Sequence, residues 1–338
     1  MATMAKTGWK KVLHCSALVL GTWGGWGQAV AQTSPPVSLP PAQMAVTTID
    51  RVGATGTQLW GINDLGTVVG TDSLGAFLYN AGTVTALNGI ANATQISAFG
   101  VANNGTVVGS WVEQLSETAS ITHGFIYQGG AYTTFDLPLA GGVYTQIRSI
   151  STDGRYIAGF YGLGNPLGQG FMVDLQSNTL QTFSTTGQML LHGVNNNGLA
   201  VGSLSGPGGG GVVAGFNGQY SVTPTVLDPG VRPSFRGVND AGQVSGFYNI
   251  NGLSTAIVGT PGSPYSFQTL AIDGAVTSIG EGINNQGTVV GFYTDANGLS
   301  HGFVAAPVPE PSTLLMFVGG LAAVGWARRR AVAPVTPA

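Results

Sequence analysis

The sequence predicts an all-β fold: a six-bladed β-propeller with four-stranded antiparallel blades, whose last blade is closed by an N-terminal strand. Three observations predict it. A motif recurs six times, the segments between its copies are rich in β-branched and aromatic residues, and the array begins with the strand that its end lacks. The 338 residues are 43% hydrophobic, which excludes a disordered chain, and the 55 glycines require frequent turns.

The recurring motif is Gly-Ile/Val-Asn-Asn/Asp-x-Gly-x-Val-Val-Gly. Its turn glycines are spaced by 39, 49, 44, 44 and 45 residues. Periods of this length are typical of propellers and solenoids. Five clear copies and a degenerate sixth, which has one extra residue, are Gly61 to Gly70, Gly100 to Gly109, Gly193 to Gly202, Gly237 to Gly246, Gly282 to Gly291 and Ser149 to Gly159.

Each repeat is expected to form four short strands. The Asn-Asn-x-Gly or Asn-Asp-x-Gly segment predicts a tight hairpin turn between strands one and two, because Asn, Asp and Gly tolerate turn geometry. Strand three is expected at an aromatic-centred unit in most repeats: Ala76 to Tyr79, His123 to Tyr127, Gly170 to Val173, Gly215-Phe216, Ala256 to Val258 and His301 to Val304. Strand four is expected at Thr-rich runs: Thr83 to Asn88, Tyr132 to Asp136, Leu180 to Phe183, Val222 to Asp228 and Phe267 to Asp273.

The ends of the array favour a closed ring over an open solenoid. The sixth repeat stops after its third strand at Val304, and Ala45 to Asp50 matches the pattern of a fourth strand. Pairing the two removes exposed sheet edges, whereas a solenoid would require polar caps. The sequence therefore predicts a propeller over residues 44–306.

The N-terminal region predicts export. Residues 1–31 contain Lys6, Lys10 and Lys11, an apolar run and Ala29-Val30-Ala31, the layout of a secretory signal peptide. Residues 32–43 form a Pro-rich linker. Cys15 is the only cysteine, so the mature protein is expected to have no disulfide.

The charge distribution argues against nucleic acid and anionic lipid as partners. Residues 32–309 contain five of the arginines, no lysine and 13 of the 14 acidic residues, so their formal charge is 5 minus 13, or −8. An acidic, lysine-free domain lacks the cationic surface that binds phosphate-rich polymers.

The C-terminal segment, residues 307–338, predicts a delivery signal. Val308-Pro309-Glu310-Pro311 precedes an uncharged stretch, Leu314 to Ala327, and then Arg328-Arg329-Arg330. Fourteen helical residues would span about 21 Å, short of the roughly 30 Å of membrane hydrocarbon. A separate short hydrophobic helix with transient membrane association is expected, and an ordinary C-terminal anchor is the alternative.

These residues resemble the PEP-CTERM sorting signal of Gram-negative bacteria that make extracellular polysaccharide. The resemblance implies processing by the membrane protease-transpeptidase exosortase and a secreted or cell-surface location reached through the inner membrane. The repeats resemble the HAF extracellular repeat, whose His-Ala-Phe is represented by His123-Gly124-Phe125 and His301-Gly302-Phe303. That second resemblance implies a secreted protein and supplies no catalytic residues.

One position in the repeat differs in every copy and is the candidate ligand site. The residue before each motif, on the innermost strand, is Trp60, Phe99, Arg148, His192, Arg236 or Glu281. Aromatic, basic and acidic side chains that meet at a channel would suit a sugar or an acidic saccharide. The alternative is that strand alternation directs them between the blades, as packing and ion pairs.

Metal, cofactor and catalytic sites are not expected. Most Asn/Asp turns offer at most one carboxylate, too few for calcium, and His123, His192 and His301 fall in separate repeats. Glu113 and Glu117 are assigned to a loop insert of the second repeat, and Gly208 to Gly211 to a flexible loop that lacks a phosphate-binding motif. The leading hypothesis is a non-enzymatic surface or matrix protein that binds an extracellular polymer, such as a polysaccharide, or another partner. The alternatives are a polysaccharide lyase or glycosidase and a structural spacer.

Overall fold

A computed structural model describes residues 39–117, 119–138, 144–162, 168–223, 231–262 and 266–308. These residues form 24 strands in six sheets of four, and every pair of neighbouring strands is antiparallel. The predicted all-β, six-bladed propeller is confirmed.

Blades 1 to 3 each use four consecutive strands, ordered from the channel outwards. Blade 1 contains β2 (Gln58–Ile62), β3 (Val68–Asp72), β4 (Gly75–Asn80) and β5 (Thr83–Ala86). Blade 2 contains β6 (Ala93–Val101), β7 (Val107–Gln114), β8 (Ser120–Gln128) and β9 (Ala131–Phe135). Blade 3 contains β10 (Tyr144–Ile150), β11 (Tyr156–Gly162), β12 (Gln169–Asp174) and β13 (Thr179–Thr182).

Blades 4 and 5 follow the same order, and the outer strand of blade 6 is the N-terminal strand β1. Blade 4 contains β14 (Met189–Val194), β15 (Leu199–Leu204), β16 (Gly210–Gly215) and β17 (Tyr220–Thr223). Blade 5 contains β18 (Pro233–Val238), β19 (Val244–Ile250), β20 (Leu253–Thr260) and β21 (Ser266–Thr269). Blade 6 contains β22 (Thr277–Ile283), β23 (Val289–Thr294), β24 (Ser300–Pro307) and β1 (Met44–Ile49).

The N-terminal strand completes blade 6, as the ends of the array predict. Strand β1 pairs with β24 over six residues, from Met44 opposite Pro307 to Ile49 opposite Gly302. The edge that three strands would leave open is therefore covered by a segment more than 200 residues away in sequence.

The final glycine of the motif is required by a backbone carbonyl of the innermost strand and, in four blades, also by an aromatic ring on the third strand. A Cβ on Gly70 would lie 2.6 Å from Cζ of Phe77, and one on Gly109 would lie 2.7 Å from Cε1 of Phe125. Both rings are fully buried. The Val-Val-Gly segment and the aromatic strand thus fit together within a blade, while apolar residues on both faces of each sheet pack against the adjacent blades.

The fold has two distinct faces. The innermost strands run towards the Asn-containing hairpins, so we call that side the turn face and the opposite side the mouth face. The chain enters and leaves the propeller on the turn face, where the Val308 N–H donates to the Gln43 carbonyl at 3.2 Å. Pro307, the last residue of β24, lies beside the hairpin glycine Gly287.

Three local predictions were wrong. The third strand of blade 4 is β16, so Gly210 and Gly211 lie in a strand and Phe216 lies beyond it, packed on Tyr156 with ring centroids 5.5 Å apart. Strand β16 needs no aromatic residue because the Phe235 ring of blade 5 occupies the space beside Gly211.

Glu113 belongs to β7 rather than to a loop insert, because β7 and β8 pair as far as Gln114 and Ser120. Two of the fourth strands are also shorter than expected: β5 ends at Ala86 and β21 at Thr269.

The signal peptide, most of the linker and the C-terminal hydrophobic segment lie outside the described residues. Within the part of the chain that the structure describes, no helix has the length and hydrophobicity needed to cross a bilayer.

Candidate functional site

All six pattern-breaking residues lie at a β-bulge of the innermost strand of their blade. The pairing of each innermost strand with its neighbour shifts by one residue at this position: between Leu59 and Gly61 in blade 1, for example, which leaves Trp60 outside the ladder. The same shift occurs at Phe99, Arg148, His192, Arg236 and Glu281. A bulge inserts one unpaired residue and redirects its side chain. The six side chains consequently line a single central cavity.

Small residues next to the bulges allow the six innermost strands to approach closely. A Cβ on Gly61 would lie 3.1 Å from Cα of Gly100, and one on Gly193 would lie 2.9 Å from Cα of Gly237. Ser149 takes the equivalent place in blade 3, where its hydroxyl accepts a hydrogen bond from the Val194 N–H at 3.2 Å. The channel is therefore narrow. The space that the centres of water molecules can occupy in it is about 40 Å³, which is enough for roughly three waters.

Arg148 lies against two aromatic rings on one side of the cavity. Its guanidinium carbon is 3.8 Å from the centroid of Phe99 and 5.0 Å from that of Trp60. The two rings meet edge to face at 5.4 Å, and Trp60 Nε1 donates to Thr71 Oγ1 at 2.8 Å. The aromatic faces attract the cation and hold it without supplying a hydrogen-bond acceptor.

Arg236 contacts both neighbouring bulge residues on the other side. Its Nη1 lies 2.7 Å from Nε2 and 2.9 Å from Nδ1 of His192, and its Nε lies 3.9 Å from Oε1 of Glu281. A guanidinium N–H only donates, so the imidazole nitrogen that accepts it must be unprotonated. The three residues form a chain from blade 4 to blade 6.

The bulge residues carry more positive than negative charge. Burial, and then the positive charges of Arg236 and Arg148, hold the pKa of His192 well below its usual range, so the imidazole is neutral. Burial lowers the pKa of Arg148 to about 10, which leaves it charged at neutral pH. Burial raises the pKa of Glu281, and the two arginines oppose that shift. Among the bulge residues two cations face at most one anion, whereas Asp64 and Asp240 make the floor of the cavity acidic.

Both arginines carry buried donors without acceptors. The Nε atoms of Arg148 and Arg236 are inaccessible to solvent and have no hydrogen-bond partner among the described residues. A buried unpaired donor costs about 1–3 kcal/mol, and more when it is charged. These atoms identify the part of the site that lacks a partner within the protein.

The first asparagine of each hairpin connects neighbouring blades below the cavity. The Asn63 side chain donates to the Ala102 carbonyl at 3.0 Å, and Asn284 donates to the Asn63 carbonyl at 3.1 Å across the junction of the last and first blades. Asn195 and Asn239 make the equivalent bonds to the next blade. Ala102 and Ser151 occupy the position in blades 2 and 3.

The next hairpin residue of each blade closes the turn-face end of the channel. Asn285 Nδ2 lies 3.1 Å from Asp64 Oδ2, 2.9 Å from Asp240 Oδ2 and 3.4 Å from Thr152 Oγ1. Asn196 also donates to Asp240, at 2.7 Å. These side chains span the channel, so the cavity has a hydrogen-bonded floor on the turn face, and the partly exposed Trp60, Arg148 and Arg236 lie on its mouth side.

Three aromatic residues that contact the bulge residues were not predicted as part of the site. Phe292 packs on Trp60 with centroids 5.6 Å apart, Phe160 meets His192 at 5.9 Å, and the guanidinium of Arg236 lies 5.1 Å from the Phe247 ring centroid. All three are partly exposed and lie nearer the mouth than the bulge residues they contact. Each directly follows the last glycine of its motif, a signal visible in the sequence.

Exposed leucines surround part of the mouth face. Leu74, Leu115, Leu253 and Leu299 lie at or beside the tips of the hairpins between the second and third strands of blades 1, 2, 5 and 6. They are 49–61% exposed. Since blades 5, 6, 1 and 2 are consecutive around the ring, these leucines form an arc on one side of the mouth.

The other candidate residues lie away from the channel. His123 contacts Asp136 through Nδ1 at 2.8 Å and Glu113 through Nε2 at 3.3 Å, on the outer part of blade 2. His301 contacts Asp50 at 2.8 Å at the equivalent position of blade 6. His192 is in the channel, so the structure does not bring the three histidines together. The exposed Glu117 has no assigned role in the site.

Comparison with known proteins identifies the C-terminal signal. Residues 307–330 match the model of the PEP-CTERM protein-sorting motif, which confirms that prediction. The motif is a substrate signal for exosortase and implies secretion through the inner membrane to the extracytoplasmic or cell-surface space. No curated protein matches this sequence significantly. The resemblance of the repeats to the HAF family stays a prediction.

Several solved structures are similar to this chain at low sequence identity. A glucose dehydrogenase is 11% identical over 78% of this chain and 99% of its own, with a TM-score of 0.48. A prolyl endopeptidase is 12% identical over 79% and 43%, with a TM-score of 0.46, so this chain spans less than half its length. The β-propeller domain of the trilobed protease from Pyrococcus furiosus is 9% identical over 73% and 95%, with a TM-score of 0.44. The activities of these proteins do not transfer to this chain.

Proposed function

We propose that this chain, which carries an exosortase sorting signal, is a non-enzymatic cell-surface or extracellular-matrix protein. In this proposal the mouth face of the propeller binds an extracellular polymer, with the six bulge residues at its centre. The sorting motif at residues 307–330 supports an extracytoplasmic location. The binding role rests on the channel.

One observation carries the binding role: the position before the motif, whose side chain changes between aromatic, basic and acidic from blade to blade, is a position that lines the cavity. The residues that build the blades are similar from repeat to repeat, whereas the bulge residues comprise three aromatic rings or imidazoles, two arginines and one glutamate. A purely structural ring would be satisfied by the same small residue in every blade.

The chemistry of the cavity favours binding over hydrolysis. Glycosidases commonly use two carboxylates, one as an acid and one as a base or nucleophile. Among the described bulge residues Glu281 is the only carboxylate, and it faces Arg236. Asp64 and Asp240 lie in the floor, where neighbouring amides hydrogen-bond to them.

The mouth face offers surfaces that suit a polymer. Partly exposed aromatic rings stack well on the apolar faces of sugars, and exposed leucines extend the apolar contact area beyond the channel. A long ligand would cross the face, and only a small group would enter the narrow channel.

A glycan array with the exported domain tests the proposal. We expect binding to at least one extracellular polysaccharide, lost in Trp60→Ala and Arg236→Ala and retained in Leu65→Ala, which changes an exposed residue on the turn face. Thermal melting of each variant checks that it is folded. Binding that Leu65→Ala abolishes and Trp60→Ala leaves intact would place the site elsewhere, and hydrolysis of a bound glycan would favour the enzyme alternative.

A further inference from the structure

Arg148 differs from the other arginines of the propeller. Arg51 lies 3.5 Å from Asp72, Arg155 lies 2.7 Å from Asp174, and Arg236 lies 3.9 Å from Glu281. Among the described residues Arg148 has no carboxylate within ion-pair distance, and its Nε is buried without a hydrogen-bond partner. Its guanidinium is covered by Phe99 and Trp60 and lines the cavity.

A buried guanidinium with no acceptor is unfavourable unless another group supplies one. Removing a cation from water costs several kcal/mol, and contact with aromatic rings returns only about 0.5–2 kcal/mol. Glu281 attracts Arg148 from a distance, while Arg236 repels it. At the level of the bulges, the cavity therefore combines an unpaired donor of Arg148 with two cations and a single carboxylate.

The charge and size of the cavity define what can bind there. Because the bulge residues carry two arginines against one carboxylate, whereas the floor of the cavity and the propeller as a whole are acidic, a single anionic group is favoured beside the arginines, and a dense polyanion would be repelled by the surrounding surface. Space for roughly three waters fits a carboxylate and excludes a sugar ring.

We infer that the channel binds the carboxylate of one uronic-acid residue, with Arg148 and Arg236 as its ligands and the sugar ring held at the mouth. This inference rests on the proposed function and names the ligand class of the same site. The fork of N–H donors on a guanidinium matches the two oxygens of a carboxylate. Trp60 and Phe292, at one edge of the cavity, supply aromatic surface for the ring.

Glu281 makes the inference testable in both directions. Its carboxylate competes with a bound anion for Arg236, so neutralising it should strengthen anion binding, while removing Arg148 should weaken it. If Glu281 and Arg148 merely maintained the structure, their substitutions would not change anion binding in opposite directions.

Isothermal titration of the exported domain with D-galacturonate, D-glucuronate, D-galactose and acetate tests the inference. We expect a uronate to bind and the neutral sugar to bind at least ten-fold more weakly. Acetate, which has the carboxylate without the ring, should bind more weakly than the uronate and compete with it. Arg148→Met should weaken uronate binding at least ten-fold, Glu281→Gln should strengthen it, and Arg232→Gln should leave it unchanged, because Arg232 is exposed outside the channel.

Several results would overturn the inference. They are equal binding of D-galactose and D-galacturonate, acetate binding as tightly as the uronate, no uronate binding in the millimolar range, or no effect of Arg148→Met in a variant whose melting temperature matches the parent. If neutral glycans bind on the array in a Trp60-dependent manner, the proposed function stands and the uronate inference fails. If no glycan binds in either experiment, both fail.

Discussion

Asn284 closes the ring between the last blade and the first, and its removal should measurably weaken the fold. Its side chain is buried and makes three hydrogen bonds. Nδ2 donates to the Asn63 carbonyl at 3.1 Å, and Oδ1 accepts from the N–H groups of Gln286 and Thr288 at 3.1 and 3.0 Å. Asn284→Ala removes all three without disturbing the neighbouring backbone pairing.

The expected loss follows from those three bonds. At about 1 kcal/mol each, the substitution should lower the free energy of unfolding by about 3 kcal/mol. With a shift of about 2–4 °C per kcal/mol for a domain of this size, the melting temperature should fall by roughly 6–12 °C. The protein should still fold, because Ala102 already occupies the equivalent position in blade 2.

Thermal unfolding followed by circular dichroism measures this effect, with Asn297→Ala as the matched control. Asn297 is an exposed hairpin residue whose side chain makes one hydrogen bond, to Asp295 at 3.1 Å. Its substitution should change stability by less than about 0.5 kcal/mol. If Asn284→Ala lowers the melting temperature no more than Asn297→Ala does, the side-chain bonds between blades do not stabilise the ring.

Three further predictions concern packing, pH and processing. Gly237→Ala should destabilise the propeller by about 3 kcal/mol, because the new Cβ would lie 2.8 Å from the Glu281 carbonyl oxygen. The control Gly298→Ala lies in open space at φ +80° and should cost about 1 kcal/mol. Thermal melts of both variants measure the difference. The hydrogen bond from His301 to Asp50 raises the pKa of His301, so its contribution to stability is complete below about pH 6.5 and is lost as pH rises through the raised value. Asp50→Asn should reduce that dependence in melts across pH. Intact mass of the surface form should lack residues 328–330, because exosortase processing would remove the C-terminal arginines.

Each of these predictions has an outcome that contradicts it. Equal losses in Gly237→Ala and Gly298→Ala would mean that the blades are free to move apart at the channel. The sign assigned to His301 would be reversed if the parent became more stable from mildly acidic to alkaline pH and Asp50→Asn showed a smaller increase. A surface form that retains the full C-terminus would favour a plain membrane anchor.

The architecture could be predicted from sequence because its determinants are local and repeated. Most hairpins are specified within ten residues by Asn and Gly, with paired valines in three of them, and six copies at nearly constant spacing define the blades. The closure by β1 followed from counting strands at the two ends. Blade 4 was misassigned because its aromatic ring comes from Phe235 of the next blade, a contact that no pattern within one repeat reveals.

The site was predicted by position, and its geometry required the structure. Alternation along an ideal strand offered the space between blades as an alternative location for Trp60 and Arg148. The bulge adds one residue and directs these side chains to the channel instead. Bulges have no sequence signature of their own, although the glycine that follows five of the six marks where the strands come closest. The lack of an acceptor for Arg148 Nε can be seen only in the three-dimensional structure.

The position of the chain ends fixes which way the molecule points when it is attached. Gln43 and Val308 leave the propeller side by side on the turn face, and the bulge residues of the channel lie towards the other face. A tether at the C-terminus therefore directs the closed floor towards the cell and the open mouth towards the surroundings. Ligands would arrive from outside, unobstructed by the anchor, and the floor of Asp64, Asp240 and their amide partners would prevent passage through the ring.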